Sequence, residues 1–408
     1  MKKKDVLFLC QFFYPEYISS ATLPYDTAMS LKESGYSVDV MCGYPKEYSL
    51  DNSVSLTEVH KGVNIKRLKY IQPKRSSSIG RIINYFSFTI SVLLRFLKLK
   101  KYKSIIVYSN PPILPIVPAI ASKLFKVKLV FVCYDVYPEI AEKTNVVNTK
   151  SLPSKLMRKV NKIVYKNLHT VVSLSNEMKK SLLQKRPDLE EKQVKVIPNW
   201  YADKGGLKNN PTLVNSKFEY LKDNFVVSYF GNMGTAQDLD TIVNAIRKLK
   251  NDNNIHFLFA GHGNKKELLT EIVYKEQIRN VTILDFLHNK EYQDALEISD
   301  CYIVSLAKGL TGLAVPSKTY SYMMAGKPII AIIGKESDIA RDLIDYNAGY
   351  ALKPGEESNL VDAIMEMKGD VEKQKIMGDN CRQVFLKKYT KDICTKKYVK
   401  LMNEILGE

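Results

Sequence analysis

At 408 residues the chain is too long for one ordinary hydrophobic core and has the length of two domains. Its 45% hydrophobic and 25% charged residues are those of a soluble globular protein and exclude fibrous and disordered classes. The formal net charge of +18 is concentrated: from Lys61 to Tyr134 there are fifteen Lys and Arg and no Asp or Glu. Such a field attracts phosphates, on lipid head groups, nucleic acid or a diphosphate substrate; a basic face serving solubility alone is the alternative.

In chain order, the opening MKKKDVLFLCQFF has the basic start of a signal peptide. Its apolar stretch is short, broken by Gln11 and without a small-residue cleavage site, so 6–13 is expected to be a strand. Further apolar runs at 38–43, 105–108, 129–134 and 171–174 continue the first half. Those at 226–230, 256–260, 281–286, 302–306 and 328–333 occupy the second. Rich in Val, Ile and Phe, they predict parallel strands buried on both faces, with helical segments between. The βαβ alternation predicts an α/β fold with two Rossmann-like domains, 1–200 and 225–388. A Pro-, Gly- and Asn-rich linker, 201–224, separates them, and a basic helical tail, 389–408, is free to pack back on the first domain.

Residues 81–101, RIINYFSFTISVLLRFLKLKK, predict an amphipathic helix. Ile82, Ile83, Phe86, Ile90, Leu93, Leu94 and Leu97 share one stripe; Asn84, Ser87, Ser91, Arg95 and Lys98 share the other side. The uncharged run is too short to span a bilayer. A basic helix of this kind suits a membrane interface, and packing the stripe on its own sheet is the competing expectation.

Four strand–helix junctions are candidate sites, because parallel sheets bind ligands at the carboxyl ends of their strands. At 130–143, VFVCYDVYPEIAEK, Asp135 and Glu139 are the first acids after the long acid-free stretch and are candidates for orienting a hydroxyl nucleophile. At 229–245 an apolar strand runs into Gly231 and Gly234 before a helix, which favours an anion. At 257–269, Gly261 and Gly263 begin a G-x-G-x-x-G, but Lys266 replaces the third glycine, which argues against a dinucleotide fingerprint. At 309–328, GLTGLAVPSKTYSYMMAGKP, Pro316 and Ser317 open a helix and Lys318 is the lone cation at its start. Each has a plain structural alternative: charge compensation, a simple turn, or an ordinary helix cap. The six cysteines lack C-x-x-C spacing and read as reduced core residues of a cytosolic protein. The five histidines form no helical metal pair, and no RNA-type aromatic motif is visible.

The stretches FFYPEYISSATLPYDTAMSLKESGYSVDVMCGYP, YDVYPE, VVSLSNEMKKSL, VIPNWYAD, YFGNMGTAQDLDTI, FAGHGNKKEL and PSKTYSYMMAGKPII, in that order, resemble the family 4 glycosyltransferases of the GT-B fold. More narrowly they resemble the bacterial N-acetyl-L-fucosamine transferase branch of surface-polysaccharide (O-antigen or capsule) assembly. The resemblance implies two Rossmann-like domains facing across a cleft. It implies a retaining transfer, without a metal or other cofactor held by the protein, of a sugar such as an N-acetylated deoxyhexose or hexosamine. The implied donor is a UDP-sugar, and the implied acceptor a saccharide on a polyprenyl diphosphate at the cytoplasmic face of the membrane. The implied donor residues are Gly231, Asn232, Met233, Gly234, Gln237, Gly261, His262, Phe286, Leu287, Pro316, Ser317, Lys318 and Ser321. Tyr14, Glu16 and a loop with Ser20 and Ala21 would line the acceptor side with Asp135 and Glu139.

The departures from the family matter. Its two glutamates, eight positions apart, fall at Leu313 and Ser321; its phosphate-loop Arg and Lys fall at Asn232 and Gln237; its histidine before the aspartate is Tyr134. Lys318 is then expected to carry the positive charge on the diphosphate, and Asp338 to stand in for the ribose carboxylate. In a front-face retaining route the leaving phosphate itself takes the acceptor proton, so Asp135 is either a catalytic or an orienting group. A sugar-nucleotide epimerase, or a non-enzymatic or regulatory protein on the same fold, are the other readings.

Overall fold

The computed structural model describes residues 3–46, 54–73, 78–203, 205 and 216–407. Two compact units divide the chain. One holds 1–199, 312–315 and 391–408; the other holds 200–311 and 316–390. Residues 204 and 206–215 of the expected linker lie outside the described residues.

The first unit contains β1 (Lys4–Cys10), β2 (Val38–Gly43), β3 (Thr57–His60), β4 (Val63–Leu68), β5 (Tyr102–Tyr108), β6 (Lys128–Cys133), β7 (Thr170–Ser173) and β8 (Val194–Val196). They form one sheet in the order β3-β4-β2-β1-β5-β6-β7-β8, parallel except for β3 at the edge. The helices are α1 (Ser19–Glu33), α2 (Ser78–Leu93), α3 (Ile116–Phe125), α4 (Glu139–Lys143), α5 (Leu152–Asn167) and α6 (Asn176–Lys185). The opening apolar stretch is therefore a central strand, β1, with Val6–Cys10 buried. The expected strands of this half are all present. The hairpin β3–β4 and the short β8 were not expected. In β4 the buried Val63 and Ile65 alternate with Asn64 and Lys66, β3 has no buried residue, and Lys61 and Gly62 make the turn between the two strands at φ 49° and 78°.

The helix expected over 81–101 is α2 followed by a 3-10 turn, Phe96–Lys101. Its apolar stripe does not pack on the sheet. The seven stripe residues are exposed, from 41% at Ile83 to 78% at Leu94. The inward face is Asn84, Phe88, Thr89 and Val92. Gln11 Nε2 donates to Asn84 Oδ1 at 2.6 Å, Ser91 Oγ to the Lys69 carbonyl at 2.9 Å, and Ser87 Oγ to the Ile71 carbonyl at 3.2 Å. The side expected to face water thus supplies the hydrogen bonds that seat the helix. No described helix is long and apolar enough to cross a membrane.

The second unit contains β9 (Phe225–Asn232), β10 (Ile255–His262), β11 (Val281–Leu284), β12 (Cys301–Ser305), β13 (Ile329–Ile332) and β14 (Gly349–Leu352), with α7 (Leu239–Leu249), α8 (Lys266–Lys275), α9 (Asn289–Ile298), α10 (Lys318–Ala325), α11 (Asp338–Asp345), α12 (Glu357–Gly369) and α13 (Val371–Lys388). The sheet is wholly parallel, in the order β11-β10-β9-β12-β13-β14. This is the doubly wound order, with its topological switch between β9 and β12. Val227, Ile303, Ile330 and Phe257 of the sheet pack with Ile242, Ile246 and Ile364 of the covering helices. Asp238 caps α7, accepting from Thr241 N at 3.3 Å and Thr241 Oγ1 at 2.6 Å. The last helix, α14 (Lys391–Leu406), belongs to the first unit and packs on α1. Lys128 Nζ donates to the Ile405 carbonyl at 2.8 Å, and Lys195 pairs with Glu404 at 3.1 Å. All six cysteines are free and buried, and burial pushes the Cys42 and Cys133 thiols up to about 12.

Candidate active site

In the second unit the site forms where β9 and β12 part. Gly231 lies at the end of β9, beside Gly261 of β10 in register. A Cβ on Gly261 would come within 2.0 Å of the Gly231 carbonyl oxygen, so this glycine serves close strand approach rather than a ligand. Gly231, at φ 120°, instead faces Lys318: a Cβ there would stand 3.5 Å from Lys318 Cε.

The loop after β12 leads into α10, which a cluster of buried tyrosines fixes to the sheet. Tyr322 OH accepts from Phe230 N at 2.7 Å and donates to the Phe230 carbonyl at 3.1 Å. The Tyr322 ring stacks on Tyr302 at 4.2 Å between centroids. Tyr229 OH donates to the Asn232 carbonyl at 2.9 Å, which holds the end of β9. The ring of the same Tyr229 carries the Lys318 ammonium, 3.5 Å above its centroid.

Lys318 is half-buried as a residue, but its Nζ is shielded from water and has no hydrogen-bond partner among the described residues. Burial holds the ammonium well below the usual lysine range. The ring face offsets part of the lost hydration. A cation so placed, at the end of a switch-point strand, is arranged to meet a negative charge.

The rest of the expected donor set divides into groups. Ser317 occupies the N-cap position of α10 without a side-chain capping bond; Thr319 makes the local bond instead, its Oγ1 donating to the Pro316 carbonyl at 2.8 Å. Gln237 Oε1 accepts from Gly234 N at 3.0 Å and from Asn232 Nδ2 at 3.4 Å. Met233 is buried, and its amide donates to the His262 carbonyl at 2.6 Å. His262, exposed, lies 6.0 Å from the Phe286 ring, which is half-exposed, while Leu287 is buried. Ser321 is buried; its hydroxyl donates to the Lys318 carbonyl at 2.8 Å and bonds Tyr292 OH at 2.9 Å. Asp338, in the first turn of α11, pairs with Arg341 at 2.6 Å.

In the first unit, Asp135 follows β6. Its amide and that of Tyr134 reach Ser109 Oγ, at 3.4 and 2.9 Å. Burial raises the Asp135 carboxyl to about 6, and no cation pairs with it among the described residues. The next amide, Val136 N, donates to the Leu313 carbonyl at 2.8 Å, which ties segment 312–315 to this loop. Glu139 is committed elsewhere: Arg186 grips both its oxygens, at 2.6 and 2.8 Å, and also donates to the Tyr137 carbonyl at 2.9 Å. Burial alone would lower the Arg186 pKa, but the Glu139 pair prevails and raises it.

Tyr14 is partly exposed and stacks on His60 at 4.1 Å; Glu16 is buried and accepts from Phe13 N at 3.2 Å. The stretch expected as a loop at Ser20 and Ala21 is the first turn of α1, and Ala21 is fully buried in the core. No local pattern singled out Ser109, Arg186 or Tyr229, whose roles arise from neighbours distant in the chain. Among the described residues no group of three His, Cys, Asp or Glu could hold a metal ion.

Residues 22–200 match the Glycosyl transferase 4-like domain family, and residues 213–384 match the Glycosyl transferases group 1 family. A probable glycosyltransferase of Pseudomonas aeruginosa, WbjE, is 24% identical over 339 residues, 82% of each chain. Among solved structures, Anabaena HepE in complex with UDP and glucose superposes with a TM-score of 0.73 at 16% identity, covering 98% of this chain and 100% of its own. Sucrose-phosphate synthase of Thermosynechococcus elongatus gives 0.75 at 15%, covering 99% and 100%. WaaG, a glycosyltransferase involved in lipopolysaccharide biosynthesis, gives 0.68 at 13%, covering 99% and 100%.

Proposed function

The chain is a glycosyltransferase of the GT-B fold, built from a glycosyl transferase 4-like domain and a glycosyl transferases group 1 domain, and from that premise we propose that it moves a sugar from a UDP-linked donor to a lipid-linked saccharide, retaining anomeric configuration. The observation that carries the donor assignment is Lys318, its shielded Nζ beside Gly231 and without a hydrogen-bond partner among the described residues. Breaking the bond between the sugar and the diphosphate builds charge on the departing oxygen. An ammonium and the N-terminal amides of α10 already in place stabilise that charge without reorganisation.

In this reading Gln237 is a stand-in. Its side-chain oxygen holds the Gly234 amide as a phosphate oxygen would, and swings away when the diphosphate arrives. Phe286, with His262 beside it, offers a ring face to the uracil base. Asp338 is the candidate for the ribose hydroxyls. A UDP complex of HepE, at low identity, supports the choice of nucleotide.

Asp135 is the acceptor-side carboxylate in this proposal. It is half-buried, with no cation paired to it among the described residues, so it can take a proton from, or accept a hydrogen bond from, an acceptor hydroxyl. Glu139, pinned by Arg186, shapes the loop that presents Asp135. The membrane reading rests on α2: seven apolar side chains face solvent on a helix flanked by lysines. A membrane surface would cover them and would bring a polyprenyl-linked acceptor within reach. The fucosamine-transferase resemblance points to an N-acetylated deoxyhexose or hexosamine for surface polysaccharide, a setting that WaaG's role parallels.

The test is calorimetric titration of UDP into the wild-type protein and into Lys318→Met. The wild type should bind UDP, whose diphosphate gives the shielded Lys318 Nζ a negative partner. Lys318→Met should lose that binding yet gain about 1–2 kcal/mol of stability, since it removes a buried ammonium without a hydrogen-bond partner. Unaltered UDP affinity in the variant would refute the diphosphate assignment.

A further inference from the structure

The first unit carries a cavity that sugar transfer does not use. It lies where β1, β2 and β5 begin, at the end of the sheet opposite Asp135, and has a volume of about 890 Å³. Val59, exposed, and Phe125, partly exposed, give it apolar surface, with the buried Leu7, Val40, Met41 and Ile65 behind them. Six lysines line it: Lys3, Lys4, Lys66, Lys98, Lys100 and Lys101.

The two carboxylates in the lining are already engaged. Asp39 accepts from Lys4 Nζ and Tyr102 OH at 2.8 Å and from Asn64 Nδ2 at 2.7 Å; Glu58 pairs with Arg67 at 2.8 Å. Of the six lysines, Lys4 alone has an acidic partner among the described residues. Lys66 and Lys98 face one another, and that approach, with burial and Arg95 behind it, holds the Lys66 ammonium below the usual lysine range. Crowded ammonium groups around an apolar hollow are costly when empty, and a bound anion removes the cost.

The chemistry of the lining selects an amphiphile: an anionic head for the lysines and a hydrocarbon tail for the wall. Its source is suggested by the chain itself, since the exposed stripe of α2 runs through Leu94 and Leu97 directly into Lys98, Lys100 and Lys101. We infer that this pocket binds an anionic phospholipid, its phosphate between Lys66 and Lys98 and the first part of an acyl chain against Val59 and Phe125. The α2 stripe supplies unspecific adhesion and the pocket reads the head group. The inference rests on the membrane reading above for the source of the lipid.

The experiment titrates the whole chain with dihexanoyl phosphatidylglycerol below its micelle concentration, in parallel with dihexanoyl phosphatidylcholine and with inorganic phosphate. The phosphatidylglycerol should bind saturably at one site, the phosphatidylcholine should not, and inorganic phosphate should bind weaker by roughly tenfold or more. The double variant Lys66→Gln, Lys98→Gln should lose roughly tenfold in affinity for the lipid at an unchanged melting temperature, and Leu94→Ser should lose none. No saturable lipid binding, equal affinity for inorganic phosphate, or full affinity in the double variant would each overturn the site. Pelleting with anionic vesicles separates the two readings. A protein that pellets but ignores the short-chain lipid refutes the pocket and leaves membrane attachment standing. One that binds the short-chain lipid but does not pellet keeps the pocket and refutes the attachment.

Discussion

Asp135 and Lys318 are opposite cases of one physical effect. Burial withholds water from both, so each is pushed toward its neutral form: the carboxyl up to about 6, the ammonium well down. Both shifts disfavour the native state at neutral pH and are the kind of expense found at functional sites. For Asp135 the sign is definite. The folded carboxyl, raised above its ordinary value, is protonated below about pH 6 and ionised above it. If it assists the acceptor hydroxyl, kcat/KM should rise with pH through about 6, and Asp135→Asn should flatten that limb as well as lower the rate. A limb that persists in Asp135→Asn would assign it to another group.

At the scale of an element, α2 has two faces of very different worth. Phe88 and Val92 are fully buried, whereas Ile90 and Leu94 point to solvent. Phe88→Ala should therefore cost about 3–5 kcal/mol in urea unfolding. Ile90→Ser with Leu94→Ser should change stability by only about 0.5 kcal/mol while sharply reducing vesicle binding. Equal destabilisation by both variants would mean that the outer stripe is covered by protein rather than by lipid. The α10 helix is held in the contrary manner, buried from Thr319 to Ala325 and bonded through Tyr322 to β9. It is therefore a rigid platform, as a site for leaving-group charge should be.

For the whole molecule, the uneven distribution of the +18 charge is the governing quantity. If the basic first half meets an anionic leaflet, vesicle binding should weaken steeply as salt rises and the Debye length shrinks from about 10 Å at 0.1 M to about 3 Å at 1 M. Equal binding to neutral and anionic vesicles, at any salt, would contradict an electrostatic contribution. The two units also divide the chemistry. The charges around Lys318 belong to the second and Asp135 to the first, with segment 312–315 grouped with Asp135 although its chain neighbours on both sides belong with Lys318.

The sequence alone determined the α/β class, ten of the strands, the helix that ends at Gly326, and the family resemblance. All of these follow from local patterns: apolar runs, glycine punctuation and motif order. It did not disclose β3, β4, β8 or β14, because short or edge strands with alternating polar residues lack a continuous apolar run. It placed the α2 stripe on one side of a helix but could not say which side meets the sheet, since periodicity fixes a face and not its neighbour. The tertiary structure settled that by giving Asn84 and Ser91 partners inward. It also decided that the Lys318 ammonium sits over the Tyr229 ring and that Glu139 is already taken by Arg186. Solvation and pairing of a charge depend on residues brought together from distant parts of the chain, which no local reading of the sequence contains.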